Sequence, residues 1–161
     1  MAVSETESNV AGGSLVAFES FVSEVEPRVR RALSVAYGID RGGEASADAF
    51  LYAWEHWQRI SDMVNPAGYV YTVGRSRARR RRQRPPVFPD VPFEMSDWVE
   101  PGLPKALAKL SEMQRVSVWL VHGFEWSPAE ASEILGISLS SLRTHLARGE
   151  KKLQRALGVG S

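Results

Sequence analysis

Ser127-Pro128-Ala129-Glu130-Ala131-Ser132-Glu133-Ile134-Leu135-Gly136-Ile137-Ser138-Leu139-Ser140-Ser141-Leu142-Arg143-Thr144-His145-Leu146-Ala147-Arg148-Gly149-Glu150 is the stretch that decides the fold. Ser127 stands three residues ahead of Glu130, with proline between them at the first helical position. That pattern predicts a capped helix start. Gly136 stops the helix, and Ser138 caps a second one. Leu135, Ile137, Leu142 and Leu146 close a small core between the two, in the layout of a helix-turn-helix. Ser140, Ser141, Arg143, Thr144, His145 and Arg148 are then left on the outer face of the second helix. Short polar and cationic side chains there can reach base edges and phosphates without holding the helix out of a major groove. A plain helical hairpin with a solvated face has the same local pattern, and His145 reads equally as a solvated helix residue.

Upstream of this stretch, Ala106, Leu107 and Leu110 predict one helix, and Val116 to Val121, ended by Gly123, predict another. Residues 85–103 hold Pro85, Pro86, Pro89, Pro92 and Pro101, which disfavour helix and sheet interior and predict an extended linker. The N-terminal part is again helical in its periodicity. Phe18, Phe21, Val22 and Val25 form one apolar face, and Pro27 starts a second segment or bends the first. Gly38 and Arg41-Gly42-Gly43 predict a break. Residues 44–59 predict a helix bearing Phe50, Leu51, Trp54 and Trp57, followed by a loop at Ser61–Val64. Asn65-Pro66 restarts a helix that runs through Tyr69 and Val73 into the arginines. Residues 1–14, rich in Ser, Glu and Gly, predict a disordered tail. The expected fold is all-α, with two small helical domains at 15–84 and 104–161.

The net charge of +1 conceals segregation. Residues 28–84 carry twelve arginines against five acids, and residues 101–161 carry eight bases against five acids. Between them, residues 85–100 carry four acids and no base, so two basic blocks flank an acidic connector. Five arginines fall within residues 77–82, too many faces of a helix for a core stripe. This run adjoins Trp54, Trp57, Tyr69 and Tyr71, and cations beside aromatic rings suit single-stranded nucleic acid. A solvated charge run is the plainer reading. Trp54 and Tyr69 read as core residues and Trp57 as the exposed contact. Arginine outnumbers lysine sixteen to four, which coding bias in a GC-rich genome explains as readily as phosphate binding does.

Other chemistries find little support. The chain has no cysteine, so disulfides, thiolate metal sites and a cysteine nucleophile are excluded. His56, His122 and His145 are not in metal-ligand spacing. There is no phosphate-binding glycine motif and no evident acid–base pair. The chain reads as a non-enzyme without cofactor or metal. No apolar run approaches the ~18 residues of a membrane span, and no secretory signal opens the sequence, so the expectation is a cytoplasmic protein without membrane insertion.

Two segments carry a family resemblance. Ala47-Asp48-Ala49-Phe50-Leu51-Tyr52-Ala53-Trp54, then Asn65-Pro66-Ala67-Gly68-Tyr69-Val70-Tyr71 running into arginines, resembles region 2 of sigma-70 factors of the extracytoplasmic-function (ECF) type. Leu107, Leu110, Gln114-Arg115, Ser127–Gly136 and Leu142–Leu157 resemble region 4. Departures from the family pattern include Ser76 in place of a common asparagine and Ser140-Ser141-Leu142 at the recognition-helix start. The resemblance implies a promoter-specific initiation factor for bacterial core RNA polymerase. It implies that Asp48, Leu51, Tyr52 and Glu55 meet the β′ clamp helices and that the C-terminal domain meets the β flap. Trp57, Arg59, Asn65 and Tyr69 would take the unwound −10 strand, with Arg75, Arg77, Arg79 and Arg80 on phosphates. The second helix of the helix-turn-helix would read the −35 element. An anti-sigma factor is the implied regulator. Two rival readings are a DNA-binding regulator that never touches polymerase and a degenerate sigma-like interaction protein.

Overall fold

The computed structural model describes residues 2–80 and 102–158, with side chains from residue 12 onward. All elements among the described residues are helical: α1 Ala2–Tyr37, α2 Ile39–Glu55, α3 Trp57–Ser61, α4 Pro66–Arg80, α5 Leu103–Ala108, α6 Glu112–Val118, a π-helical turn Trp119–Gly123, α7 Pro128–Leu135 and α8 Leu139–Leu157. The expected linker, and the arginines beyond Arg80, lie outside the described residues.

Helix α1 is the spine. Val25, Val29, Ala32, Leu33, Val35 and Ala36 are buried along it at spacings of three and four, which gives one continuous apolar face. The expected tail at 1–14 is instead helical from Ala2. The segment has no proline and continues a helix already anchored at Phe18, so each added residue gains a hydrogen bond without a new nucleus. Pro27 neither starts nor ends a segment, because α1 runs through it.

The chain reverses at Gly38, whose φ of 95° suits glycine. The break expected at Arg41-Gly42-Gly43 is absent, since α2 is helical from Ile39. Packing explains this: a Cβ at Gly42 would lie 2.5 Å from the Ser34 Cα, so the glycine lets α1 and α2 touch backbone to backbone. Ala45, Ala49 and Ala53, all fully buried, extend this close contact along α2. The helix expected over 44–59 divides at His56, and α3 follows. Helix α4 begins where expected, with the Gly68 N–H donating to Asn65 Oδ1 at 3.0 Å.

The C-terminal helices are set by caps. The Ser127–Glu130 capping box forms, Gly136 ends α7 with φ 65°, and Ser138 caps α8. A second box, Ser111 with Gln114, starts α6. The two halves share one apolar core, with α1 against α6 and α7, and α4 against α7.

Gly42 and Gly43 give opposite predictions. Gly42→Ala should destabilise by about 1–3 kcal/mol through overpacking. Gly43→Ala, where an added Cβ meets nothing within 4 Å, should stabilise by about 0.5–1 kcal/mol through helix propensity. Urea unfolding of both variants checks this, and equal shifts would contradict the packing account.

Candidate nucleic-acid and protein interfaces

The first surface is the outer face of α8. Leu142 is fully buried and Leu146 and Leu153 are half-buried, which fixes the rotation of the helix. Ser140, Ser141, Arg143, Thr144 and Arg148 are exposed, whereas His145 is half-buried. Ser138 Oγ receives the Ser141 N–H at 3.0 Å, and Thr144 Oγ1 donates to the Ser140 carbonyl at 3.1 Å. The helix N-terminus is thus ordered before any ligand arrives. Lys151, Lys152 and Arg155 are exposed and lengthen the cationic face. These three lie beyond the residues expected from the sequence, which end at Arg148. Lys151 and Lys152 follow Arg148 by three and four residues, and Arg155 follows those two by four and three, which is the signal that marks them.

The second surface lies between α2 and α4. Arg59 donates to the Tyr52 hydroxyl at 3.1 Å and to the Tyr69 hydroxyl at 3.4 Å, with its guanidinium over the Tyr69 ring. Arg77 lies over Tyr52, and Tyr52 stacks on His56 with ring centroids 4.1 Å apart. Hydrogen bonds from Tyr52 and Arg59 draw the Tyr69 hydroxyl below its ordinary pKa. Cations interleaved with rings form a surface for phosphates and stacked bases. Tyr52, expected at the polymerase, sits in this cluster. Arg80 is exposed near its end.

The third surface is apolar. Leu51 is 59% exposed and Trp54 42%, and Glu55 is exposed on the same helix. Leu15 and Val16 of α1 are also exposed large hydrophobics. The two tryptophans exchange their expected roles. Trp57 packs with Phe18 and Phe21, at centroid distances of 5.2 and 5.0 Å, while Trp54 offers surface to solvent. Periodicity puts both on one side of a single helix, and the break at His56 rotates Trp57 inward. Asp48 is half-buried.

The remaining expected DNA residues meet the C-terminal half of the chain. Glu112 accepts from the Tyr37 hydroxyl at 2.5 Å, from Arg75 Nε at 2.9 Å and from Arg79 at 3.2 Å. Asn65 Nδ2 donates to the Glu133 carbonyl at 2.7 Å. Arg115, only 9% exposed, donates to the carbonyls of Val35 at 3.1 Å, Ala36 at 2.8 Å and Leu110 at 3.2 Å. Burial pushes the Glu112 carboxyl up, but the Tyr37 hydrogen bond and the charges of Arg75 and Arg79 outweigh it and hold the group below its ordinary value. Burial, then the Glu112 hydrogen bond, pushes Tyr37 up to about 12. Tyr71 is buried beside them without a hydrogen-bond partner for its hydroxyl, and burial raises its pKa strongly.

A small apolar groove of about 210 Å³ lies between α5, the π-helical turn and α8, lined by Leu103, Leu107, Trp119 and Leu153, with the His122–Glu150 pair among its lining residues. Among the described residues no three His, Asp or Glu group as a metal site, and no helix is long and apolar enough to cross a membrane.

Residues 102–153 match the family described as Sigma-70, region 4. No curated protein matches the sequence. The fold is similar to that of the sigma factor RpoE from Bartonella quintana, solved in complex with the anti-sigma factor NepR. That match has 22% identity and a TM-score of 0.57, and covers 90% of this chain and 99% of that one. It is also similar to CnrH, solved in complex with the cytosolic domain of CnrY, at 20% identity and a TM-score of 0.59, covering 96% of each chain.

The pKa directions around Glu112 set a pH window for the contact between the two halves. A depressed carboxyl contributes stability in full above its ordinary 4.5 and loses it as pH falls through the lower folded value. A raised tyrosine contributes below its ordinary 10.0 and loses that contribution as pH rises through about 12. Thermal unfolding against pH should therefore show an acid limb that is shallower in Glu112→Gln than in the wild type. Superimposable acid limbs would contradict the assignment.

Proposed function

We propose that this chain, which belongs to the sigma-70 family through its region 4 domain and has the fold of ECF sigma factors, directs bacterial core RNA polymerase to particular promoters and helps open them. The observation that carries this is the joint one of a region 4 domain at 102–153 and a recognition helix whose cationic face is exposed and capped. Members of this family are non-catalytic, and initiation needs no chemistry from the chain. It needs base contacts, phosphate neutralisation and a grip on polymerase.

In this reading residues 15–84 are region 2, residues 104–161 are region 4, and the acidic proline-rich stretch 85–103 links them. Helix α8 enters the −35 major groove, with Arg143 and Arg148 on guanines or phosphates and Ser140, Ser141 and Thr144 at closer range. The Arg59–Tyr69–Tyr52–Arg77 cluster receives the unwound −10 strand, and Arg75, Arg79 and Arg80 neutralise its backbone. The exposed Leu51–Trp54–Glu55 strip docks on the β′ clamp helices, where an apolar patch of this kind finds a partner. The groove beside the π-helical turn receives the β flap. RpoE and CnrH were solved with anti-sigma factors, and an anti-sigma factor is the regulator proposed for this chain, which acts in the cytoplasm.

Run-off transcription with core polymerase and a library of host promoter fragments tests the reading. Initiation at a few promoters sharing a motif, absent with core alone, is the expected result. Tight core binding without initiation would leave an interaction protein, and no core binding would leave a helix-turn-helix regulator. Arg143→Ala should lower initiation roughly tenfold or more, in line with ~1–3 kcal/mol for a bidentate base contact. Trp54→Ala should weaken core binding and leave the thermal transition within a few degrees of wild type.

A further inference from the structure

The side chains on the outer face of α8 differ in the hydrogen bonds left open to them. Thr144 Oγ1 donates to the Ser140 carbonyl at 3.1 Å. A carbonyl only accepts, so that bond uses the single proton of the Thr144 hydroxyl. Thr144 is exposed, and what it still offers is lone pairs and a methyl group. Ser141 is not committed in this way. It is bonded to another hydroxyl, Ser138 Oγ, at 2.9 Å, and a bond between two hydroxyls can run in either direction. Arg143 and Arg148 carry donors alone.

The polarity of Thr144 is thus set before any DNA arrives. To donate to DNA it would forfeit the Ser140 bond, whereas to accept it gives up nothing. Phosphate oxygens are acceptors too, so a group of this polarity gains nothing from the DNA backbone and suits a base edge. In the major groove the donors are the N6 amine of adenine and the N4 amine of cytosine. Thr144 stands one helical turn after Ser140 and Ser141 and one before Arg148. It lies in the N-terminal half of α8, the part of such a helix that reaches bases.

We infer that Thr144 is a specificity-determining residue, which accepts from the exocyclic amine of an adenine or a cytosine and is held to that role by the Ser140 carbonyl. The inference rests on the reading of α8 as the helix that enters the −35 major groove, and deepens it by naming the base chemistry. A guanine or thymine in the same place sets a keto oxygen against the Thr144 lone pairs. Thr144 therefore reads which strand of the pair carries the amine, while Ser141 meets donors and acceptors alike.

The test selects duplexes with a randomised −35 segment, using holoenzyme assembled from core polymerase and the full chain, and in parallel the full chain alone. At one position, one strand should favour adenine and cytosine over guanine and thymine about fivefold, the ratio expected of one net hydrogen bond. Thr144→Val keeps the shape of the side chain without its oxygen. It should lose the preference at that position and keep those elsewhere. Thr144→Ser can make the same bond to the Ser140 carbonyl and should retain the preference. Each base pair holds an amine on one strand and a keto oxygen on the other, so base analogues then identify the atom. Purine in place of adenine at that position deletes the amine, and should weaken the wild type about fivefold more than Thr144→Val. Deleting O4 of the paired thymine should weaken the two equally. The inference is overturned if Thr144→Val changes no position or changes all positions alike. It is equally overturned if thymine O4, and not the adenine amine, is the atom that the variant no longer senses. Initiation by the holoenzyme judges the sigma reading separately. If the holoenzyme selects nothing while the chain alone shows the Thr144 pattern, the sigma reading fails and the inference stands. No selected position with either would overturn the inference.

Discussion

The Arg115 guanidinium, placed in the open end of α1, is the contact on which the arrangement of the two halves depends. It is a charged group taken almost out of water, and burial draws its pKa down. What offsets that cost is the number of carbonyls it satisfies, two from α1 and one from its own half of the chain. A buried carbonyl left without a donor costs about 1–3 kcal/mol, so the helix end and the arginine each need the other. Glu112 stands one turn earlier on α6 and pairs with Arg75 and Arg79. The side of α4 that carries these arginines thereby becomes the side that region 4 covers.

Small residues permit the rest. Gly42, Ala45, Ala49 and Ala53 bring α2 close to its neighbours, and Gly149 lets α8 cross α6 where a Cβ would lie 2.8 Å from Val118. Such tight packing moves large side chains to the margins. Phe18, Phe21, Phe50, Trp54 and Trp57 collect at one end of the N-terminal half, with Trp54 at the edge facing solvent. The opposite edge carries Tyr52, Arg59, Tyr69 and Arg77. One helix, α2, thus separates an apolar surface suited to a protein from a cationic aromatic surface suited to nucleic acid.

Local chemistry is legible in the sequence and distant contacts are not. The Ser127–Glu130 box, the stop at Gly136, the Ser138 cap and the Asn65-Pro66 restart each depend on a few adjacent residues, and all of them form. The Ser111–Gln114 box has the same kind of signature, and the reading of a helix over Val116–Val121 passed over it. Glycine signals mislead at Gly42 and Gly43: at Gly42 helix propensity gives way because two backbones must touch, and Gly43, which has open space beside it, is carried inside the helix that this contact fixes. Trp54 and Trp57 exchange their expected exposures because a single turn at His56 changes the rotation of α3 relative to α2. The contact between the two halves leaves no local trace. Glu112 and Tyr37 are 75 residues apart, and nothing in either segment names the other.

Permanganate reactivity of promoter DNA reports strand opening and not association, and so separates an initiation factor from a protein that only binds. Core polymerase with this chain should produce reactive thymines in the −10 segment and protect the −35 segment from nuclease, and neither should occur with core alone. Protection at −35 with no reactive thymine would contradict the reading of this chain as an initiation factor.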